Sequence, residues 1–288
     1  MITGKTKICA LIGDPVEHTM SPAMHNAAFK KLGLDYVYVA FCVKPEQLSK
    51  AVDGLRALNV RGFNVTIPHK VAVIPMLDSL DPLAEKIGAV NTVVNDSGRL
   101  KGYNTDAEGF LGSLTKKGIE PQNKDIIILG AGGASRAISY ILAQKGARLT
   151  ILNRKLELDW AKDIARLIQK DLGTEVTAGE LTPRALAAAL EKADILVNAT
   201  SVGMSPNNDK SPIPARLLKR RLVVFDIVYN PIVTKLLREA KAAGAKVIGG
   251  VDMLAAQGAL AFEKWTGQPA PVELMRREAV KMLEGHED

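Results

Sequence analysis

Lys70 and Asp106 are the residues of this chain best suited to move a proton. A carbonyl that accepts hydride needs a proton for its developing alkoxide, and a lysine beside an aspartate can be both supplied and held for that step. Polar residues gather where apolar strands end: Thr19, Met20 and Ser21 after the first, Asn64-Val-Thr66 and then His69-Lys70 after the third, Asn91-Thr92 in the fourth, and Asn104-Thr-Asp106 after the fifth. Strand ends are where open α/β sheets hold ligands. Hydroxyls, amides, one lysine and one aspartate suit a small polyhydroxy acid. Singly, each has a plainer use: Ser21 and either Asn104 or Thr105 as helix caps, Lys70 as a solvated helix residue.

A second chemistry is written in Ile126-Ile-Ile-Leu-Gly-Ala-Gly-Gly-Ala-Ser-Arg-Ala137. A β-branched run, a glycine turn (Gly130, Ala131, Gly132, Gly133, Ala134) and the start of a helix make an anion site, with backbone free to approach a pyrophosphate and helix N–H groups aimed at it. The third fingerprint position is Ser135 rather than glycine. About twenty residues further on, NAD enzymes carry an acid for the ribose 2′-hydroxyl. Here the strand ends in Asn153-Arg154-Lys155, two cations and no carboxylate, which favours NADP over NAD through charge-assisted bonds to a 2′-phosphate. The four histidines lack metal spacing: His25 lies in a helix, His18 and His69 adjoin the polar clusters, and His286 is in the tail.

These residues need strands and helices in alternation to position them, and the pattern supplies both. Strands are expected at Lys7–Ile12, Tyr36–Val43 and Gly62–Thr66, with helices at Pro22–Leu32, Pro45–Leu58 and near His69–Leu77. Ser21-Pro22 reads as a cap and first helical residue. Ala89–Val94 and Arg99–Tyr103, joined by Asn95-Asp-Ser-Gly98, read as a hairpin that gives a mainly parallel sheet an antiparallel edge. A helix follows to about Lys117. The second half repeats the rhythm, with strands at Arg148–Leu152, Asp194–Asn198, Leu222–Val228 and Lys246–Ile248 and helices at Ala134–Lys145, Leu156–Leu172, Pro183–Ala193 and Val233–Ala243. In the last of these, Val233, Leu236, Leu237 and Ala240 share a face. Two helices close the chain. Val251–Trp265 is apolar nearly all round, so its single amide, Gln257, needs a partner. Pro271–Leu283 carries an apolar stripe of Val272, Met275, Ala279, Met282 and Leu283.

With 288 residues, 47% hydrophobic and 24% charged, the chain has room for two domains with proper cores. Its net charge of +7 is scattered and not interleaved with aromatics, which argues against nucleic acid and for small anions. The two cysteines, Cys9 and Cys42, sit in strand-like apolar runs and read as buried packing in a reducing compartment. No stretch resembles a signal peptide or a membrane span, so a cytoplasmic protein without a membrane partner is expected, working as a monomer or a homodimer.

Eight stretches in order resemble the shikimate dehydrogenases of the shikimate/quinate dehydrogenase superfamily. They are Gly13-Asp-Pro-Val-Glu-His-Thr-Met-Ser-Pro22 with Met24-His-Asn26, Asn64-Val-Thr-Ile-Pro-His-Lys70, Gly88-Ala-Val-Asn-Thr92, and Gly102-Tyr-Asn-Thr-Asp106. The second half adds Gly130-Ala-Gly-Gly-Ala134, Asn198-Ala-Thr-Ser-Val-Gly-Met204, Asp226-Ile-Val-Tyr-Asn-Pro231 and Gly250-Val-Asp-Met-Leu-Ala-Ala-Gln257. The resemblance implies two α/β domains: a mainly parallel substrate-binding domain over 1–104, joined by C-terminal helices over 252–288, and a Rossmann-type NADP-binding domain over 105–251. It implies NADPH-dependent reduction of 3-dehydroshikimate to shikimate, on the route to aromatic amino acids. Lys70 and Asp106 would be the catalytic pair. Thr19 and Ser21, helped by Tyr229, would bind the carboxylate; Thr66, Asn91, Gln257 and Asn64 would bind ring hydroxyls. Ala199, Thr200, Ser201, Ile227 and Gly250 would line the nicotinamide, and the domains would close about hinges near 104–107 and 249–252.

Two departures from the family pattern stand out. Thr19 replaces a usual serine and keeps its hydroxyl. In the 2′-phosphate motif, Lys155 replaces threonine and Leu158 replaces a second basic residue, so one cation has moved. A quinate/shikimate dehydrogenase using NAD(P) is the nearest alternative. A non-catalytic NADP(H)-binding regulator is a remoter one, which both Lys70 and Asp106 speak against.

Overall fold

Alternation of short apolar strands with amphipathic helices gives two parallel-type sheets in the computed structural model, which describes residues 2–285 and so leaves the His286 tail outside. The chain runs β1 (Lys7–Gly13), α1 (Ser21–Lys31), β2 (Tyr36–Cys42), α2 (Leu48–Ala57), β3 (Gly62–Val65), β4 (Ser79–Leu80), α3 (Pro82–Ile87), β5 (Thr92–Asp96), β6 (Arg99–Tyr103) and α4 (Asp106–Thr115). It continues β7 (Asp125–Leu129), α5 (Gly133–Gln144), β8 (Arg148–Asn153), α6 (Leu158–Leu172), β9 (Val176–Glu180), α7 (Pro183–Lys192), β10 (Ile195–Asn198), β11 (Val223–Asp226), α8 (Lys235–Ala242), β12 (Lys246–Ile248), α9 (Gly250–Thr266) and α10 (Val272–Glu284). Two compact units result, one of Met1–Gly109 with Ala255–Asp288 and one of Phe110–Leu254.

In the first unit the strand order is β2-β1-β3-β5-β6-β4. Only β5 opposes its neighbours, pairing antiparallel with both β3 and β6. The expected antiparallel edge is therefore an inner strand, and β2 and β4 are the edges. On one face Ala10, Ile12, Val52, Leu55, Phe63, Val65 and Val90 form the core. On the other, His25 and Phe29 of α1 pack with Tyr38 of β2 and with Phe262 and Trp265 of α9. Trp265 donates its indole Nε1 to the Val93 carbonyl at 3.0 Å, and its own carbonyl accepts from Arg61 Nε at 2.8 Å. These bonds fix the C-terminal helices on this sheet.

The second unit is a six-stranded, wholly parallel sheet of order β12-β11-β10-β7-β8-β9. Chain order reverses between β7 and β10, the switch point at which doubly wound sheets bind dinucleotides.

Several expectations are corrected. No helix covers His69–Leu77, only turns and a 3-10 turn at Ile74–Met76, because Pro75 cannot donate a helical N–H and Val71, Val73 and Ile74 are stiff at χ1. The helix in this region is α3, which starts at Asp81-Pro82, with Asp81 Oδ1 accepting from Leu83 N at 3.0 Å. β4 and β9 are short edge strands outside the expected set. Strand Ala89–Val94 begins only at Thr92. Ser21 is the first residue inside α1 and caps nothing; Met20 holds the cap position. Val233 is half exposed ahead of α8, Val272 is exposed at the head of α10, and Cys42 lies exposed at the end of edge strand β2, whereas Cys9 is buried.

His25 is sealed inside the aromatic cluster, stacked 4.4 Å from Tyr38, and its Nδ1 has no hydrogen-bond partner among the described residues. Burial pushes its pKa from 6.5 down to about 3. The unfolded chain therefore takes a proton below pH 6.5 that the folded protein refuses until about pH 3. Stability is whole above pH 6.5 and declines through that window at up to about 1.4 kcal/mol per pH unit from this one group. Urea unfolding between pH 4 and pH 7 should show that slope in the wild type and a shallower one in His25→Phe; equal slopes would contradict the assignment.

Candidate active site

The centre of the first unit's polar cluster is Asn91, just ahead of β5. Its backbone is clamped on both sides, with Asn91 N donating to Tyr103 O at 3.1 Å and Val65 N donating to Asn91 O at 2.9 Å. Its buried amide accepts from Thr105 N at 2.7 Å and from Thr92 Oγ1 at 3.0 Å through Oδ1. Nδ2 donates to Thr105 Oγ1 and to Asp106 Oδ1, both at 2.9 Å, and reaches Gln257 Oε1 at 3.4 Å. Lys70 Nζ donates to the other oxygen, Asp106 Oδ2, at 2.6 Å. Asp106 is thus held at both carboxylate oxygens, and its side chain is only 6% exposed against 16% for Lys70.

Local structure explains each placement. Asn104 Oδ1 accepts from the N–H groups of Asp106 and Ala107 at 3.1 and 3.3 Å, so it is Asn104 that caps α4, and Asp106 becomes its first residue. A carboxylate there is favoured by the helix dipole. Lys70 is no solvated helix residue. It sits in the turn after β3, fixed by Val90 N donating to Lys70 O at 2.7 Å, beside His69, whose Nε2 lies 2.6 Å from Val43 O. His69 is buried and serves this backbone contact. Gly109 lets α9 approach α4: a Cβ there would lie 2.9 Å from the backbone nitrogen of Gln257, so only glycine lets Gln257 reach Asn91.

Asn64 faces Thr92 across the β3–β5 ladder. Its Nδ2 donates to Asn91 O at 3.1 Å and Thr92 Oγ1 at 3.0 Å, and its Oδ1 accepts from Tyr38 OH at 2.7 Å. Both amide protons of Asn64 are engaged within the protein. Tyr38, which the sequence pattern marks only as a strand residue, is what orients it. Thr19 and Ser21 meet at the start of α1, where Ser21 N donates to Thr19 Oγ1 at 3.3 Å; hydroxyls beside free helix N–H groups suit a carboxylate. Thr66 follows β3 and is half-buried. Tyr229 belongs to the second unit, after β11, with burial pushing its phenol pKa up.

In the second unit Gly130 takes φ +94°, and a Cβ on it would lie 2.9 Å from the Ala199 carbonyl across the switch point. Gly132 is extended at the N-cap of α5, with open space where a Cβ would stand. Gly133 and Ala134 begin the helix, so their N–H groups lie in a first turn without intrahelical partners, while Gly130 N donates to Leu152 O at 2.9 Å and holds the turn against β8. Ser135, in place of the third glycine, donates its buried hydroxyl to Gly130 O at 2.7 Å and ties the turn shut. Asn153 Nδ2 donates to Glu157 O at 2.8 Å. Arg154 and Lys155 are exposed, and a carboxylate stands three residues past Arg154. Glu157 grips the Arg154 guanidinium through Nε at 2.7 Å and through Nη2, and its carboxyl pKa is held below the ordinary range by that pair. Nothing about Glu157 at three residues beyond Arg154 marks it in sequence except the i,i+3 spacing. Thr200 donates to Asn198 Oδ1, Ile227 leaves β11, and Gly250 opens α9.

A half-buried lysine–aspartate pair in the first unit and a glycine turn at the switch point of the second sheet are the parts a nucleotide-dependent oxidoreductase requires. Residues 11–93 match the shikimate dehydrogenase substrate binding domain, residues 113–240 the shikimate/quinate 5-dehydrogenase family, and residues 250–280 the shikimate 5′-dehydrogenase C-terminal domain. Shikimate dehydrogenase (NADP(+)) of Methanopyrus kandleri is 50% identical over 285 residues, 98% of each chain. A crystal structure of a shikimate dehydrogenase in complex with NADP+ superposes with a TM-score of 0.91 at 44% identity over 98% of each chain. The Thermus thermophilus enzyme, in complex with NADP(H) and shikimate, gives 0.84 at 40% identity, covering 96% of this chain and 99% of that one. The chain belongs to the shikimate dehydrogenase family.

If Arg154 reads the 2′-phosphate, Arg154→Ala should weaken NADP+ about tenfold, the value of one charge-assisted contact, and leave NAD+ unchanged. Titrations with both cofactors check this; equal weakening of both would remove Arg154 from cofactor selection.

Proposed function

We propose that this chain catalyses the reversible, NADPH-dependent reduction of 3-dehydroshikimate to shikimate, with Lys70 and Asp106 as the working pair. The observation that carries the reading is the Lys70–Asp106 bond of 2.6 Å, with Asp106 fixed from its other side by Asn91. NADPH, when bound, supplies the hydride. As the ring carbonyl becomes an alkoxide, Lys70 Nζ gives it one proton and is left as a neutral amine, to be reprotonated from solvent. In the reverse direction the amine takes the hydroxyl proton as the carbon loses hydride. An ammonium has three N–H groups and Asp106 takes one, so others are available to the substrate oxygen. Asp106, acceptor at both oxygens, keeps Lys70 aimed and has lone pairs left for a neighbouring ring hydroxyl.

On this reading Thr19 and Ser21 at the start of α1, with Tyr229, hold the carboxylate, and Thr66, Asn91 and Gln257 the ring hydroxyls. Asn64 stands with them, its amide protons, like those of Asn91, engaged within the protein. Gly130 to Ala134 take the pyrophosphate, Asn153, Arg154 and Lys155 the 2′-phosphate, and Thr200, Ile227 and Gly250 the nicotinamide. The protein works as a cytoplasmic monomer or homodimer; the free thiols of Cys9 and Cys42 support a reducing compartment. No helix among the described residues is long and apolar enough to cross a membrane.

Lys70→Ala should lower kcat by roughly a hundredfold or more while NADP+ binding persists, as expected for loss of a general acid. Steady-state kinetics with a parallel cofactor titration decide it, and an unchanged kcat would refute the role. Side-by-side kinetics on shikimate and quinate with NADP+ and NAD+ should favour shikimate with NADP+; preference for quinate with NAD+ would favour the quinate reading.

A further inference from the structure

Asp226, the last residue of β11, is a fully buried carboxylate that the proton chemistry does not use. Three donors converge on it from three segments. Oδ1 accepts from Asn198 Nδ2 at 2.9 Å and from Val228 N at 3.1 Å, and Oδ2 accepts from Thr234 Oγ1 at 2.6 Å. Even so, burial pushes its carboxyl pKa up to about 6. A group so expensive to desolvate is retained here with every bond directed at a turn or a cap.

Each partner carries the restraint outward. Asn198 ends β10, and its Oδ1 accepts from Thr200 N at 3.1 Å and from Thr200 Oγ1 at 2.7 Å, while its Nδ2 also reaches Val202 O at 3.2 Å. Val202 N in turn donates to Thr200 Oγ1 at 3.1 Å, closing the 198–202 turn on itself. Ile227 N donates to Asn198 O at 3.1 Å, so the two strand ends are joined through backbone as well. Thr234 Oγ1 accepts from Leu237 N at 3.3 Å and caps α8. Thr200 and Ile227, both assigned above to the nicotinamide, are therefore one side chain and one peptide away from a carboxylate that no ligand can touch.

We infer that Asp226 is a positioning residue for the nicotinamide half of the cofactor, acting through Asn198 on the Thr200 turn and through Val228 on the Ile227 segment, with no part in holding the adenosine half. This role rests on the cofactor placement proposed above. The test compares two ligands, NADPH and 2′,5′-ADP, the second of which lacks the nicotinamide. Fluorescence and calorimetric titrations would be run on the wild type, Asp226→Ala, Asp226→Asn and Asn198→Ala. Asp226→Ala and Asn198→Ala should each weaken NADPH about tenfold or more, the cost of one ordering hydrogen bond, and leave 2′,5′-ADP within about twofold. Asp226→Asn, which keeps an acceptor for Asn198 and Val228, should stay within about threefold for both. Equal loss of both ligands would make Asp226 merely structural, and unchanged NADPH binding would overturn the inference; if Asp226→Ala does not fold, Asn198→Ala decides between these outcomes. A wild type that binds NADPH but does not oxidise shikimate would fail the proposed reaction and leave this inference standing, whereas a wild type that binds neither ligand would overturn both.

Discussion

The arrangement of the first unit depends on one buried amide. Asn91 uses both ends of its side chain, taking Thr105 N and Thr92 Oγ1 at its oxygen and giving protons to Thr105 Oγ1 and Asp106 at its nitrogen. An amide placed so deep is costly unless fully bonded, and once fully bonded it admits one orientation. That orientation sets the Asp106 carboxylate, the carboxylate sets Lys70, and the sheet pairing that positions Asn91 is the inner antiparallel strand β5. The strand that breaks the parallel rule is thus the one that carries the pivot of the site.

The second unit solves a similar problem with a carboxylate. A parallel sheet ends in loops whose backbone groups have no ladder to join, and a dinucleotide site requires those loops to be ordered before the ligand arrives. Ser135 closes the glycine turn onto Gly130, and Asp226 draws the ends of β10, β11 and the cap of α8 together. Both are buried and fix main chain at the ends of strands. Glu157 on Arg154 belongs to a different regime: the Arg154 side chain is 70% exposed, so the pair is weak.

Much of this is legible in the residues alone. The β7-turn-α5 unit follows from its residues, strand-end logic gathers Lys70 and Asp106 into one polar set while the family resemblance makes them a pair, and the closing helix announces through Gln257 that it meets a polar site. What stays hidden has physical reasons. The apolar pattern suggests a helix where Pro75 and β-branched neighbours forbid one, β4 has only two residues and is too short to show a period, and edge strand β9 buries only Val176, so no apolar alternation marks it. The antiparallel sense of β5 depends on which strand it pairs with, which no local pattern encodes. Tyr38, Glu157 and Asp226 act through contacts made across strands or around a turn, so their types are visible in sequence and their partners are not.

On the proposed function, the Lys70–Asp106 pair, held by Asn91, serves the oxidation of shikimate. The direct measurement is the initial rate of NADPH formation by the folded, purified protein with shikimate and NADP+, followed by the near-ultraviolet absorbance of the reduced nicotinamide. Saturable turnover that is lost in Lys70→Ala and greatly reduced in Asp106→Ala is the predicted result. Correctly folded protein that binds NADPH and shows no turnover of shikimate would contradict it.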